Sequence, residues 1–231
     1  MNEIKTEPKY VMSVQGMLFG EPTTIGFGEP SFCIMEMDRD DANQVIVKNH
    51  YSGKFYSASY IHLGLYDNNQ LRGVLQYGYA MNPQSMASVV SGTKADEYLE
   101  LNRMWLDDRM PRNSETKAIS YSIKFIRRKY PKIGWIQSFA DERCGRLGVV
   151  YQAASFLYCG EHVATFWELD GVWYHNSLMS RDPKLSKSAA MIQARKPECK
   201  PHEFRQFRYF KPLKSWASKR LLLPVLPYPK K

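Results

Sequence analysis

No CxxC pair occurs among the four cysteines, Cys33, Cys144, Cys159 and Cys199, which argues against a zinc ribbon and indicates no disulfide scaffold. No apolar run approaches the ~20 residues needed to cross a bilayer, so no membrane association is expected. The chain opens without a charged-then-apolar leader, and a reducing cytosol is the expected setting. Internal repeats and low-complexity blocks are also missing. What is present suits a folded protein. With 231 residues, 44% hydrophobic and 13% aromatic, the chain can build one well-packed domain or one domain with a sizeable extension.

The net charge of +9 is unevenly spread. Residues 181–231 hold fourteen Lys/Arg against three acidic residues, Asp182, Glu198 and Glu203, while residues 1–180 are slightly acidic. The basic stretch interleaves its cations with aromatics in HEFRQFRYFKPLKSWASKR. Such a segment attracts polyanions by counterion release, and its rings can stack on bases. The plainer reading is a solvated basic strand and tail.

Residues 1–30, rich in Gly, Pro and Thr, show no sustained period and are expected to wrap the core loosely. Phe32 to Met37 predicts a strand, with Asp38 to Asp41 capping a short helix that ends at His50-Tyr51-Ser52-Gly53. Tyr60 to Tyr66 and Leu71 to Tyr79 read as strands joined by a turn at Asp67-Asn68-Asn69-Gln70. Met81 to Ala95 is ambiguous. Glu161 to Leu169 and Val172 to His175 flank Asp170-Gly171, a strong hairpin signal. Phe204 to Leu213 suggests one further strand, and the proline-broken LLLPVLPYPKK is not helical.

Glu97 to Gly160 is the most informative stretch, reading as strand, helix, strand, helix with polar residues at the strand ends, where open α/β sheets place chemistry. An apolar strand around Tyr98 to Leu106 is broken by Glu100 and Arg103, and the loop DDRMPRNS follows. Asn113 or Ser114 can cap the next helix, Glu115 suits its positive start, and Ile119, Ile123, Ile126 and Tyr130 recur on one face. Ile133 to Phe139 predicts a buried strand leading into Ala140, Asp141 and a glycine-bearing turn. A second helix is expected from about Leu147 to Phe156.

The segments KNHYSG (48–53), ELNRMWL (100–106), SFAD (138–141), Gly145 with Gly148, and YQAASFLYCG (151–160) resemble the Mom family of phage Mu-type DNA-modification proteins. The resemblance covers about residues 31–215. It implies a GNAT-like α/β core over residues 31–180, a mixed, mostly antiparallel twisted sheet flanked by helices, followed by a basic DNA-contacting extension over 181–231. It further implies a transferase that converts adenine in phage DNA to its N6-carbamoylmethyl (acetamido) form and so defeats host restriction, acting in the host bacterial cytoplasm. The partner would be double-stranded DNA with a flipped adenine. The sequence leaves monomer and homodimer open.

In such a fold the ELNRMWL strand, with Arg103 and Trp105, splays from its neighbour to take a pantetheine arm, and the loop after it cradles a pyrophosphate. DDRMPRNS lacks the glycine-rich loop of that pattern, carries two carboxylates and loses an amide donor at Pro111. Arg109, Arg112 and the amides after Asn113 remain able to hold a phosphate, which keeps acetyl-CoA or another small donor in view.

Asp141 serves either as a base or metal ligand or as a turn cap. Tyr151 is either a core residue or a general acid. His50 and Tyr51 stand at a helix C-terminus, where a histidine can simply complement the dipole, although one of them can reach a cleft beside Asp141. Arg103 needs a partner, either a carboxylate such as Glu100 or a bound group. Ser114 and Ser138 are weaker candidates, each more often a cap or a strand-end hydroxyl. A carbamoylmethyl product needs a bond from nitrogen to a saturated carbon, which acyl transfer from acetyl-CoA does not explain. That leaves a different donor or iron held by His50, Tyr51 and Asp141.

Overall fold

The computed structural model describes residues 12–15, 22–29, 31–145 and 147–230. In chain order these form β1 (Met12–Gln15), β2 (Pro22–Glu29), β3 (Phe32–Glu36), α1 (Arg39–Asn49), β4 (Ser59–Asp67), β5 (Gln70–Gly78) and β6 (Tyr98–Leu106). There follow α2 (Ser114–Lys129), β7 (Trp135–Asp141), α3 (Val149–Ala153), β8 (Leu157–Leu169), β9 (Val172–His175), α4 (Ser177–Ser180), α5 (Lys187–Ala194), β10 (Lys200–Pro212) and α6 (Ser215–Lys219). The ten strands make one sheet in the order β1-β2-β3-β4-β5-β6-β7-β10-β8-β9. All neighbouring pairs are antiparallel except β6 and β7.

Local chemistry accounts for most of these elements. Asp38 accepts the amides of Asp40 and Asp41, which starts α1. Asn68 and Asn69 both take positive φ, 48° and 64°, so two residues close the β4–β5 hairpin. Asp170 and Gly171, at 54° and 74°, do the same between β8 and β9. A helix-period stripe of Ile119, Ile123 and Ile126 buries α2 against Leu99, Leu101 and Ile136.

The sheet has two covered faces. One packs under α2 and α3 and holds the largest core cluster, including Leu63, Leu75, Tyr77, Leu101, Phe156, Phe207 and Tyr209. The other is covered in two patches. α1 lies over Val74 and Trp105, while a 3-10 turn at Pro83–Ser88 and the segment from α6 to Leu223 lie over Tyr98, Trp135 and Phe210. Between those patches the polar residues of β6, β7 and β10 collect, with Gln137 buried and Glu100, Arg103 and Arg208 partly exposed.

Three expectations need correction. The C-terminal stretch is not an appended arm, because β10 is inserted between β7 and β8 and pairs with both along most of its length. Three of its cations are engaged: Arg205 holds Glu142, Arg195 holds Asp170 and Glu198, and Lys211 donates to the carbonyls of Ala154 and Ser155. Residues 1–30 contain two paired strands, β1 and β2, which extend the sheet, with the remainder of that stretch largely outside the described residues. The helix expected over Leu147 to Phe156 is shorter, because Gly148 starts it at φ 72° and Ser155 leaves it at φ 58°.

Candidate active site

The parallel pair β6–β7 is held at three positions, Tyr98 to Glu100 against Trp135 to Gln137, and then forks. Past the fork, the Ser138 hydroxyl donates to the Leu101 carbonyl at 3.3 Å. β7 continues paired to β10, as far as Asp141 opposite Gln206, whereas the edge of β6 that faces it has no strand partner among the described residues from Asn102 onward. An irregularity in the β5–β6 register, with Tyr77 opposite Leu101 but Gln76 opposite Arg103, makes Asn102 an extra residue. Such a bulge changes the face to which the following side chains point. Leu99 and Leu101 join the α2 core, while Trp105, two residues beyond Arg103, packs under α1.

Glu100 sits at the crotch of this fork. Gln137 Nε2 donates to its Oε2 at 2.7 Å and Asn102 Nδ2 to its Oε1 at 3.2 Å. Burial raises its pKa against the opposing pull of those two amides and of Arg208 and Arg103. Gln137 is itself buried, and its Oε1 finds no hydrogen-bond partner among the described residues. Arg103 is held not by a carboxylate but by carbonyls, Nε on Lys54 at 3.0 Å and Nη1 on Asn102 at 2.7 Å, with its guanidinium 5.8 Å from the centre of the Tyr56 ring. Burial lowers its pKa, while Tyr51, Glu100 and Tyr56 act the other way.

The turn after α1 closes over Arg103. His50 ends the helix through its backbone amide on Ile46, and the Ser52 amide donates to its Nδ1 at 3.2 Å, which leaves the proton of the neutral ring on Nε2. Burial and the Arg103 charge lower the His50 pKa to about 4. Its ring lies 4.2 Å from that of Tyr51. Tyr51 is 64% exposed as a residue. Its phenol end is nevertheless desolvated against Cys144, Asp141 and Arg103, and its pKa is raised, first by that desolvation and then by a hydrogen bond and charge interaction with Cys144.

Asp141 ends β7 and caps the short turn Glu142–Cys144, accepting the Arg143 amide at 3.0 Å. Both its oxygens also hold the Arg143 guanidinium, which lies 3.6 Å from the centre of the Phe166 ring. Alternation along β7 puts Asp141 on the face it shares with Gln137 and Phe139, and Ser138 on the face beneath α3. Tyr151 approaches Ser138 from that second face, with its ring 5.3 Å from Tyr209 and 5.7 Å from Phe156. Burial raises its pKa, the Ser138 hydroxyl opposes this, and Cys144 and Glu100 are close enough to add to it. Asp141 and Tyr151 therefore approach the fork from opposite faces of β7 rather than sharing one wall, and Cys144 lies within electrostatic reach of both Tyr51 and Tyr151.

The remaining candidates separate from this group. Trp105 is packing for α1 rather than a cofactor contact. Arg109 is engaged by Asp107, Nε on Oδ1 at 2.9 Å and Nη2 on Oδ2 at 2.6 Å, so it is not a free phosphate ligand. Asn113 takes φ 72° and makes no side-chain cap, and Ser114 is buried as the first residue of α2. The opening amides of α2 are thus left without a side-chain cap, beside an exposed Arg112. Among the described residues no group of three or more His, Cys, Asp or Glu is arranged to hold a metal ion. With Asp141 committed to Arg143, the iron reading gains no support.

Sequence reasoning passed over Glu100, Arg143, Cys144 and Arg208. Glu100 does carry a signal in the sequence, a carboxylate in the middle of an apolar strand.

The Mom protein family matches residues 31–230. Methylcarbamoylase mom of Escherichia phage Mu is 47% identical over 213 residues, covering 91% of this chain and 88% of that protein. The chain belongs to the Mom family. Solved structures also resemble it at lower similarity. Ribosomal-protein-S5-alanine acetyltransferase from Vibrio fischeri is 11% identical with a TM-score of 0.48, covering 83% of this chain and 98% of that one. An acetyltransferase of the GNAT family from Streptococcus pneumoniae is 10% identical with a TM-score of 0.45, covering 78% and 98%. The forked β6–β7 pair of this Mom-family chain rests on its own register and not on those likenesses.

Proposed function

We propose that this chain is a DNA-modifying transferase that places a carbamoylmethyl group on N6 of adenine in phage DNA and so shields the DNA from host restriction. The observation that carries this reading is the buried Glu100 carboxylate at the fork, with Arg103 and Tyr151 within electrostatic reach of it and Tyr51 and Cys144 within reach of those two. The phage Mu relative, by its name a methylcarbamoylase, supports the choice of group.

The adenine amine is a weak nucleophile and is stacked inside the duplex until the base is flipped out. In the reaction N6 attacks the saturated carbon of a donor of the form H2N–CO–CH2–X. The new N–C bond forms, the C–X bond breaks, X leaves with the bonding pair, and one N6 proton must go to a base. Glu100 is placed for that step, because burial brings a carboxylate's pKa closer to neutrality. Tyr51 and Tyr151, kept as neutral phenols, can donate to the donor's carbonyl or to X. Arg143, fixed by Asp141, and Arg103 supply positive charge beside the fork. The donor would lie along the free edge of β6, with any phosphate at the uncapped start of α2 beside Arg112. A coenzyme A carrier fits that path, but plain acetyl transfer would leave acetyl-adenine. The setting is the host cytoplasm and the partner is duplex DNA.

Mass spectrometry of nucleosides from DNA of expressing cells tests this. The wild type should yield adenosine heavier by one carbamoylmethyl group, with Tyr151→Phe and Asp141→Ala strongly reduced. Unmodified adenosine alone would overturn the reading in favour of an acyltransferase on another amine. Intact protection from restriction by Asp141→Ala without any modified base would favour a non-catalytic DNA shield.

A further inference from the structure

On the same face of the sheet as Glu100, β7 and β10 bring together a group that the proposed chemistry does not use. Phe139 on β7 lies directly opposite Arg208 on β10, and the Arg208 guanidinium lies over the Phe139 ring with Cζ 5.0 Å from its centre. His162 on β8 stands edge-on to the same ring, at 5.6 Å and 89°. Phe139 and Arg208 are half-buried and His162 is exposed, so the group reaches the surface. Among the described residues Arg208 makes no hydrogen bond or ion pair, although every other arginine set in this part of the sheet is engaged: Arg103 on carbonyls, Arg143 on Asp141 and Arg205 on Glu142. A guanidinium packed over a ring still has N–H groups to donate, and a half-buried cation without an acceptor calls for one. Glu100 and Arg208 are close enough for each to shift the ionisation of the other.

A carboxylate and a guanidinium within electrostatic reach of each other on one face of the sheet offer an acceptor and a donor. The major-groove edge of adenine presents the complement, the N6 amino donor next to the N7 acceptor, whereas guanine presents two acceptors, O6 and N7. We infer that Arg208, set by Phe139, donates to N7 of the extruded adenine while Glu100 accepts from N6, so that this pair selects adenine over guanine. Guanine would set its O6 against the Glu100 carboxylate. His162 and Phe139 supply the aromatic wall beside the purine. The inference rests on the proposed function and adds to it the residue that reads the base.

The probe is 7-deazaadenine, in which carbon replaces N7 and nothing else on the edge changes. Duplexes carrying one adenine or one 7-deazaadenine opposite an abasic site, so that the base is already unpaired, are titrated with wild-type protein, Arg208→Met and Arg208→Lys. Wild type should bind the 7-deaza duplex roughly tenfold more weakly than the adenine duplex, the scale of one lost base contact. Arg208→Met should bind both alike, at the weaker level. Melting curves identify any variant that fails to fold, and the wild-type comparison of the two bases stands without any variant. Equal wild-type affinity for the two duplexes overturns the inference. A loss with Arg208→Met that is the same for both bases and shrinks with added salt also overturns it, and assigns Arg208 to a phosphate. If modified adenosine accumulates in cells while N7 proves irrelevant, the base-reading role falls and the transferase stands. If no modified adenosine forms, the transferase itself falls.

Discussion

Gln137 donates its side-chain amide to Glu100 at 2.7 Å across the last paired position of β6 and β7, and immediately beyond that contact the strands part. The bond fixes a carboxylate where the sheet opens, and burial raises that carboxylate's pKa. A folded-state pKa above the unfolded value makes a contribution that is present below the ordinary carboxylate range and lost as pH rises through the folded pKa. Glu100→Gln keeps the shape and removes the charge. Its melting temperature should therefore gain on wild type as pH is raised from about 4 toward 8, while adenine modification falls by about 10²- to 10⁴-fold, the scale of a lost general base. Parallel melting curves across that range, or full activity in the variant, would remove Glu100 from the chemistry.

His50 gives a second pH signature with the opposite sign. Its folded pKa of about 4 lies below the ordinary 6.5. Between those values the unfolded chain takes up a proton that the folded one refuses, so stability is held above pH 6.5 and drains as pH falls toward 4. The imidazole signal of His50 in an NMR titration should stay that of the neutral ring at pH 5.5, with the proton on Nε2. A midpoint near 6.5 would show that neither burial nor Arg103 acts on it.

Two glycines of the motif region should respond differently to alanine. Gly145 has φ 64° and open space where a Cβ would stand. Gly148 has φ 72°, and its Cβ would fall 2.3 Å from Tyr209 Cε2, the ring that packs on Tyr151. Gly145→Ala should cost about 1–2 kcal/mol, the left-handed penalty alone. Gly148→Ala adds a clash in a packed core, a further ~1–3 kcal/mol, which at ~2–4 °C per kcal/mol is a clear extra fall in melting temperature. Similar losses for the two variants would contradict the packing of α3 on Tyr209.

The same contrast shows what the sequence made legible. Turn chemistry is local, so Asn68-Asn69 and Asp170-Gly171 announced their hairpins, and the isoleucine stripe announced α2. Strand order is not local. Phe204 to Leu213 reads as a strand, but nothing in its residues says that it enters between β7 and β8, and its cations therefore looked free when Arg205 and Lys211 are engaged. The site was half visible for the same reason. Asp141, Tyr151, His50 and Tyr51 lie in recognisable segments, whereas the facing of Arg103 depends on a bulge at Asn102 and the exclusion of Trp105 depends on α1 covering it. Periodicity finds elements, and pairing decides which polar residues meet.

Cys144 offers a chemical test of that meeting point. Of the four thiols, Cys33, Cys159 and Cys199 are buried and Cys144 is exposed. Burial also raises the pKa of Cys33, and that of Cys159 to about 11, which leaves little thiolate at neutral pH on either. One fast-reacting thiol per chain is therefore expected with a disulfide reagent at pH 7.5, and it should vanish in Cys144→Ser. Because Cys144 hydrogen-bonds the Tyr51 phenol and lies within reach of Tyr151, a maleimide adduct there should block the fork. Alkylated wild type should lose adenine modification while alkylated Cys144→Ser keeps the activity that it had before treatment. If the adduct forms stoichiometrically and activity is unchanged, the chemistry takes place away from the β6–β7 opening.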